Sequence, residues 1–534
     1  MDDFMFSLLI MLSLLSVAAY LLSLYRKYRL RHYSVPVRDP TKGHRFYMVD
    51  MFTAMTYCNV EECRLIHGAQ CDTCGICVDD HNMKTANKKI SCKVASSKNS
   101  VMTHHWVRGN LPACSECAVC EEECGVVLAL IDLRCAWCKR TVHDDCAPKT
   151  VTCDLGTYQN FIVPPNCIEV KWVGVKGTRQ RHQIVKNVCR PKIEKWTPLI
   201  VIANRKSGSN EGELLLRHFR DILNPAQVID IQDVSPENAL EWCNLLPDVT
   251  FRLLVCGGDG TIGWVLTAIE KLKLQNPPRL CILPLGTGND LSRVLGWGEG
   301  YTGDVDVKEI LNNVIKAHAV QLDRWTVDIR HEKHFGFARP SKTFIMNNYL
   351  SIGVDALVTL NFHKQRESWP SLFAHRIINK FCYFTYGTKD VLERECKHLE
   401  KKLKVELDGR QILLPALEGV VVLNISSWGG GCQPWGDASE EEGLSQPCYD
   451  DGVLEVMGLF SSFHIAQLQI GLATPLRLGQ AKTVKISLQG SNAPMQVDGE
   501  PWEQHPAEIY VTHRGQAAMM ALGIDGAGAG TSVG

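Results

Sequence analysis

The spacing of hydrophobic and polar positions changes period along this chain. Residues 4–25 form an uncharged, largely apolar run. At about 1.5 Å per helical residue, it is long enough to cross a hydrocarbon core of about 30 Å. Asp2 and Asp3 precede the run, and Arg26, Lys27, Arg29 and Arg31 follow it. By the positive-inside rule this places the rest of the chain in the cytosol. Residues 1–40 are therefore expected to be a membrane anchor with a basic flank, single-pass or re-entrant. A cleaved signal peptide would carry its positive charge before the run. From about 197 to 322, short apolar runs alternate with amphipathic segments, as in a doubly wound α/β domain with a parallel sheet. Beyond 322 the period falls to two: Leu403-Lys404-Val405-Glu406-Leu407 before the turn signal Asp408-Gly409, and Val484-Lys485-Ile486-Ser487-Leu488 later. Residues 323–523 thus read as a β-rich domain, a sandwich, with one helix over 389–403 that places Leu392, Leu399 and Leu403 on one face. The Gly/Ala/Ser-rich tail 524–534 reads as disordered.

Cysteine placement adds two further domains. Of 23 cysteines, fourteen lie between Cys58 and Cys153. CxxC pairs with interspersed His read as zinc in a reducing compartment rather than as a disulfide scaffold. In residues 41–95, His44, Cys71, Cys74 and Cys92 could form one tetrahedral site. A second site there would use Cys58 and Cys63, whose spacing is wider than CxxC, with Asp79 or His81, or is absent. In residues 103–156 the spacing predicts two interleaved sites: His105, Cys135, Cys138 and Cys153, then Cys114, Cys117, His143 and Cys146. Cys120, Cys124 and His104 are surplus and could compete as ligands. Zinc would replace a core that some fifty residues cannot build alone. Residues 157–196 are a linker with Pro164-Pro165 and scattered basic residues.

Three polar turns close strands of the α/β region. They are Asn204-Arg205-Lys206-Ser207-Gly208, Gly257-Gly258-Asp259-Gly260-Thr261 and Gly286-Thr287-Gly288-Asn289-Asp290. All fall at strand C-termini, where open α/β sheets bind ligands. Glycines admit close backbone approach, N–H groups at a helix start face an anion, and the two Asp can bind Mg²⁺. No Gly-Lys-Ser/Thr follows, so this is not a Walker A loop. With a net charge of −1 and 22% charged residues, bulk electrostatics give no indication of nucleic-acid binding. There is no EF-hand loop, so no calcium sensor module is expected. Asn424-Ile425-Ser426 matches a glycosylation acceptor but sits in an apolar strand and is discounted. Val497-Asp498-Gly499-Glu500 reads on its own as a hairpin turn.

The Gly-Gly-Asp-Gly-Thr turn and its partner ending in Asp290 resemble those of the diacylglycerol kinase family and its relatives among sphingosine kinases, NAD kinases and phosphofructokinases. Asp290 and the zinc blocks make diacylglycerol kinases the nearest resemblance. The zinc blocks resemble tandem phorbol-ester/diacylglycerol-type domains, the second through His105-Trp106 and Gly109-Asn110-Leu111. Thr56-Tyr57-Cys58 lacks the Pro, and His67-Gly68 the Gln, of phorbol-binding members, so a structural role for the first block is the stronger expectation. Asn347-Asn348-Tyr349, Gly353-Val354-Asp355-Ala356, Tyr386-Gly387-Thr388-Lys389-Asp390 and Gly429-Gly430-Gly431 match further family motifs. The module order is similar to the epsilon type. The resemblance implies ATP-dependent phosphorylation of diacylglycerol in a bilayer to phosphatidic acid, with Mg²⁺ and structural Zn²⁺, at the endoplasmic reticulum or plasma membrane. The alternatives are a sphingosine or ceramide kinase, or a non-catalytic diacylglycerol-binding scaffold. It implies a phosphate cradle of Asn204, Ser207, Gly208, Gly257, Gly258, Gly260, Thr261 and Gly286, a Mg²⁺/water network at Asp259, Thr287 and Asp290, Asp323 as a cleft carboxylate, and Asp498 as base with Glu500 beside it.

Overall fold

The computed structural model describes residues 32–34, 43–126, 130–173, 182–301, 303, 306–331, 341–368, 396–436 and 443–523. The chain divides into two compact units, one comprising residues up to Leu199 with Leu215–Ile229, the other Ile200–Leu214 with Asp230 onward.

The first unit is built on small sheets around Cys/His clusters. One has four strands in the order His32–Ser34, Arg45–Val49, Gly68–Cys71, Cys77–Val78, and another has three, Thr141–Val142, Leu133–Cys135, Trp106–Arg108. Phe46, Ile76, Val78 and Ala86 pack with the buried cysteines of the first block. The later part of the helix Glu211–Ile222 belongs to this unit and is gripped by both zinc blocks. Lys93 Nζ donates to the carbonyls of Arg220 (3.2 Å) and Asp221 (2.8 Å), capping that helix's C-terminus with a cation, and stacks on Trp137. Arg220 pairs with the buried carboxylate of Asp72 at 3.0 Å, and Lys139 with Asp221 at 2.6 Å. Gln227 Nε2 donates to the Phe161 and Leu199 carbonyls, tying Phe161 of the 157–196 segment to the start of the next strand.

In the second unit, part of a ten-stranded sheet follows the order Leu199–Ala203, Arg252–Gly257, Arg279–Pro284, Ala507–Ala521, Thr483–Leu488, Leu403–Leu407, Arg410–Ile412, with Val228–Asp230 at the Leu199–Ala203 edge. The pair Arg252–Gly257 and Arg279–Pro284 is parallel, and both strands are buried, as their unbroken apolar runs require. The fifteen-residue strand Ala507–Ala521 lies parallel to Arg279–Pro284 at Leu280–Met519 and antiparallel to His318–His331 along its length. One strand therefore belongs to both the α/β half and the β-rich half, and His318–His331 crosses residues 322 and 323 without a break. A second, antiparallel sheet has the order Leu476–Ala481, Leu454–Leu459, Gly419–Leu423, Tyr349–Gly353, Ala493–Val497, Glu500–Gln504. Trp325, Val327 and Ile509 of the first sheet share one core with Leu350, Val422 and Met495 of the second.

Two expectations are corrected. Among the described residues, no helix is long and apolar enough to cross a membrane, so the single-pass N-terminal anchor finds no support; residues 4–25 themselves lie outside the described residues. The helix over 389–403 is not continuous. Residues 369–395, with Leu392 and all of Tyr386-Gly387-Thr388-Lys389-Asp390, lie outside the described residues, while Leu399–Lys401 is a 3₁₀ turn and a strand starts at Leu403. Pairing of Leu403 with Leu488 in the large sheet overrides the local helical spacing. The tail 524–534 also lies outside the described residues.

Candidate functional site

The Arg252–Gly257 strand feeds directly into the helix Asp259–Leu272, and Gly258 is extended at the junction. The next strand, Arg279–Pro284, leads to Asn289 in the left-handed region and the short helix Asp290–Val294. The two turns touch. A Cβ on Gly258 would lie 2.9 Å from Gly286 Cα, and one on Gly286 would lie 2.7 Å from Gly258 Cα. Only glycine fits that approach. A Cβ on Gly260 would meet nothing within 4 Å, so packing does not require that glycine, and the open backbone suits a ligand's approach.

Three of the predicted carboxylates converge there. Asp259 accepts from the backbone N–H of Asp290 (3.2 Å) and Leu291 (3.4 Å). A Cβ on Gly288 would lie 3.4 Å from Asp290 Oδ2 and 3.7 Å from Asp259 Oδ2, so both carboxylates face the same glycine. Burial, and then the negative charges of Asp290 and Asp498, push Asp259 up to about 7. Asp290 Oδ1 accepts from Ser427 Oγ (2.6 Å), Gly430 N (3.1 Å) and Gly431 N (3.0 Å), which fastens the Gly429–Gly430–Gly431 loop of the β-rich half to the nucleotide half. Burial raises the Asp290 carboxyl against those donors. Asp498, on a turn at φ +48°, is saturated. Its Oδ2 accepts from Asn347 N (2.8 Å) and Asn347 Nδ2 (3.1 Å), and its Oδ1 from Asn348 N (2.8 Å) and Tyr349 N (3.1 Å). Burial raises it too. Asn347 Oδ1 in turn accepts from Arg324 Nε (3.0 Å), and Arg324 Nη1 donates to Glu270 (2.8 Å) on the Asp259–Leu272 helix.

Asp323 and Glu500 are placed elsewhere. Asp323 is buried and ties strands together, accepting from His513 Nε2 (2.8 Å), Gln516 Nε2 (3.0 Å) and Gly452 N (2.7 Å). None of these partners belongs to the carboxylate cluster. Glu500 is exposed, opposite Val497 in a hairpin. Asn204 Oδ1 accepts from Lys206 N and Gln232 Nε2, Ser207 opens a 3₁₀ turn, and Gly208 sits at φ +61°. Thr261 packs against Gly257, where a Cβ would lie 2.7 Å from its own Cβ, and Thr287 is half-buried beside Gly286. Asn424 is a buried structural amide whose Nδ2 donates to the carbonyls of Asp323 (2.8 Å) and Asn347 (2.6 Å), which is incompatible with a glycan there.

The metal-type clusters differ from the expected sets at two ligands in the second block. His44, Cys71, Cys74 and Cys92 come together, with His44 Nε2 against the Ile90 carbonyl. In the second block, His104 rather than His105 joins Cys135, Cys138 and Cys153. Cys120 rather than Cys114 joins Cys117, His143 and Cys146. Among the described residues, Cys58 and Cys63 fall in no such group. The backbone gives the reason. After each working CxxC, the next residue turns left-handed and donates its N–H to the first cysteine's carbonyl: Gly75 to Cys71, Lys139 to Cys135, Glu121 to Cys117. That places Cys117 first in its knuckle and leaves Cys114 exposed. Glu62 makes the same bond to Cys58, so Glu61 stands where the second thiol would be, and Cys63 lies outside the knuckle. The positive-φ position one residue after CxxC is the signal that would have set the register from sequence. Neighbouring thiols hold Cys135 well below its ordinary range, chiefly by hydrogen bonds from Cys138 and Cys153. The described cysteines are all free. Crowded sulfur and imidazole donors of this kind fit tetrahedral Zn²⁺.

Comparison with known proteins agrees with this geometry. Residues 198–326 match the diacylglycerol kinase catalytic domain, 345–501 the diacylglycerol kinase accessory domain, and 104–155 the phorbol esters/diacylglycerol binding domain (C1 domain). The chain is 33% identical to probable diacylglycerol kinase 3 of Caenorhabditis elegans over 90% of its own length and 64% of that protein's. It is 31% identical to diacylglycerol kinase 2 of Arabidopsis thaliana, covering 85% of this chain and 79% of the relative. It is 40% identical to human diacylglycerol kinase theta, covering 60% of this chain and 34% of that longer protein.

Proposed function

Because this chain belongs to the diacylglycerol kinase family, we propose that it transfers the γ-phosphoryl group of ATP to the free hydroxyl of diacylglycerol, giving phosphatidic acid and ADP. The observation that carries this reading is the meeting of Asp259 and Asp290 at two touching Gly-rich turns, with Asp290 held by Gly430 and Gly431 from far along the chain. Phosphoryl transfer needs positioning and charge stabilisation more than covalent chemistry. Burial, and then the charge of Asp290, push Asp259 up to about 7, and two carboxylates facing one glycine fit a hard divalent cation. Asp259, Thr287 and Asp290 would hold Mg²⁺ through its water shell, where it would neutralise charge on the phosphate oxygens. Gly257, Gly258, Gly260, Thr261 and Gly286 cradle phosphate, with Asn204, Ser207 and Gly208 at the neighbouring strand end. The expected base is Asp498 with Glu500 beside it, but four N–H donors occupy Asp498 and Glu500 lies exposed in a hairpin, so Asp259 is the better-suited base. It accepts only two long N–H bonds, and burial raises it to about 7 in the metal-free protein, which makes it more basic than an ordinary carboxylate until a bound Mg²⁺ lowers it again. Asp498 and Asp290 position the Asn347-Asn348-Tyr349 and Gly429-Gly430-Gly431 segments around it. His44, Cys71, Cys74 and Cys92, and the two clusters of the second block, hold structural Zn²⁺. The paired zinc blocks ahead of the kinase region support the epsilon-type arrangement as the finer reading, with an expectation of selectivity for polyunsaturated chains.

Purified full chain with labelled ATP and Mg²⁺ should phosphorylate diacylglycerol in preference to sphingosine or ceramide. Asp259→Asn should lower kcat on the order of 10²–10⁴-fold. Preference for a sphingoid acceptor, or transfer to no lipid at all, would overturn the proposal.

A further inference from the structure

We propose that the segment 460–474 is a bilayer-docking knob that seats the catalytic unit on the lipid surface through apolar insertion. The proposal rests on the diacylglycerol kinase reading, since a diacylglycerol hydroxyl has to be reached at the face of a bilayer. Residues 456–476 contain no Asp, Glu, Lys or Arg in a chain whose composition is 22% charged. The short helix Ser462–Gln469 buries Ile465 and Leu468 toward the core and leaves Phe463 59% exposed. Phe460, Ile470 and Leu472 around it are 48%, 63% and 74% exposed. Four large apolar side chains in thirteen residues form a patch of the kind that marks an interaction surface.

The knob is held in shape by polar groups that face inward. His464 Nδ1 accepts from Phe460 N (3.2 Å), and its Nε2 lies 3.1 Å from the Thr474 carbonyl, so one buried imidazole closes the segment's two ends. Leu472 N donates to the Gln467 carbonyl at 2.8 Å. The knob is continuous with the site. Cys432 Sγ donates to the Leu468 carbonyl (3.4 Å), a Cβ on Gly429 would lie 3.3 Å from Gln469 Nε2, and the adjoining Gly430 and Gly431 N–H groups hold Asp290. A surface that receives the knob therefore also meets the loop bordering the carboxylate cluster. Arg477, the nearest cation in sequence, is committed to the Trp435 carbonyl. Arg293, beside Gly431, is paired with Glu299 at 3.0 Å, so docking of the knob is hydrophobic and little affected by salt.

The test is hydrogen exchange on the full chain with and without vesicles of phosphatidylcholine containing diacylglycerol, at low and high salt. Amides of 460–474 should be protected on vesicles at both salt levels, and Phe463→Gln/Leu472→Gln should abolish that protection. The double variant should raise KM for vesicle-borne diacylglycerol at least about tenfold, the weight of one large apolar side chain, while kcat on a water-dispersed short-chain diacylglycerol is unchanged. Should that variant lower the denaturation midpoint, Phe460→Ser/Ile470→Ser carries the same expectation. Unprotected amides, or a double variant with wild-type KM on vesicles, would overturn the proposal. Protection that grows with protein concentration in the absence of vesicles would assign the patch to a second copy of the chain. Protection on vesicles without transfer to either substrate would retain the knob and sink the kinase reading.

Discussion

Replacing Asp498 by Asn separates two roles that activity alone would confound. The carboxylate accepts four N–H donors, two on each oxygen: Asn347 N and Nδ2 on one, Asn348 N and Tyr349 N on the other. An Asn amide has one acceptor oxygen, so in either flip two donors face an NH₂ group. Each hydrogen bond to a charged group contributes about 1.5–3 kcal/mol, so losing two costs about 3–6 kcal/mol. The backbone conformation adds nothing to that cost, because φ +48° is a region that Asn tolerates as well as Asp. Part of the loss is offset because burial disfavours the native carboxylate. A loss of that size is a large fraction of a domain's stability of about 5–15 kcal/mol. The assay is denaturant unfolding of the Asp498→Asn chain beside nucleotide-analogue binding and kcat. The expected result is a clearly lowered unfolding midpoint with activity lost alongside it. An unchanged midpoint with kcat down on the order of 10²–10⁴-fold would refute the positioning argument and restore Asp498 as the base.

Other expectations follow from individual contacts. Glu455 is fully buried, with one oxygen bonded to Gln480 and the other without a hydrogen-bond partner, and burial pushes it up to about 7. Its folded-state pKa is raised, so the associated stability is present below about pH 4.5 and lost as pH rises toward 7; Glu455→Gln should stabilise the protein by up to about 3 kcal/mol at pH 8 and by little at pH 4.5, measured by denaturant melts. Metal analysis should show one fewer zinc per chain for His104→Ala and for Cys120→Ser, and full occupancy for His105→Ala and Cys114→Ser; the opposite pattern would return the ligands to the sequence-derived register. Asp72→Asn removes the negative charge 3.0 Å from the buried Arg220 and should cost up to about 3–5 kcal/mol, seen as faster exchange across the helix residues 215–222.

What could be read from the sequence is what local chemistry determines. The three polar turns were legible because glycine and Asp at strand ends have few other uses, and the structure sets Gly258 against Gly286 at backbone distance. The Cys/His clusters were legible by type, but the structure groups His104 and Cys120, the expected competitors, in place of His105 and Cys114; for the cysteines, two overlapping CxxC pairs look alike until the left-handed residue after each is considered. The 3₁₀ turn and strand at 399–407 were missed because leucines at i and i+4 suit a helix, while the deciding contact, Leu403 with Leu488, lies 85 positions away. The sharing of Ala507–Ala521 between the two halves was invisible for the same reason. Alternating period identifies a strand and does not identify its neighbour.

That shared strand bears on the chemistry. The sheet brings two halves alongside each other, and the carboxylates Asp290 and Asp498 fix the loops that meet there, one holding Gly430 and Gly431, the other Asn347 to Tyr349. Burial, and after it the charge of Asp290 and a smaller influence of Asp498, lift Asp259 to about 7. Positioning and tuning are therefore one arrangement. Loosening either loop would admit water and return Asp259 toward the ordinary carboxylate range, where, in the proposed role of base, it would be weaker. A variant in either loop should accordingly lower the acid limb of the pH–rate profile as well as kcat, a signature that loss of binding alone would not produce.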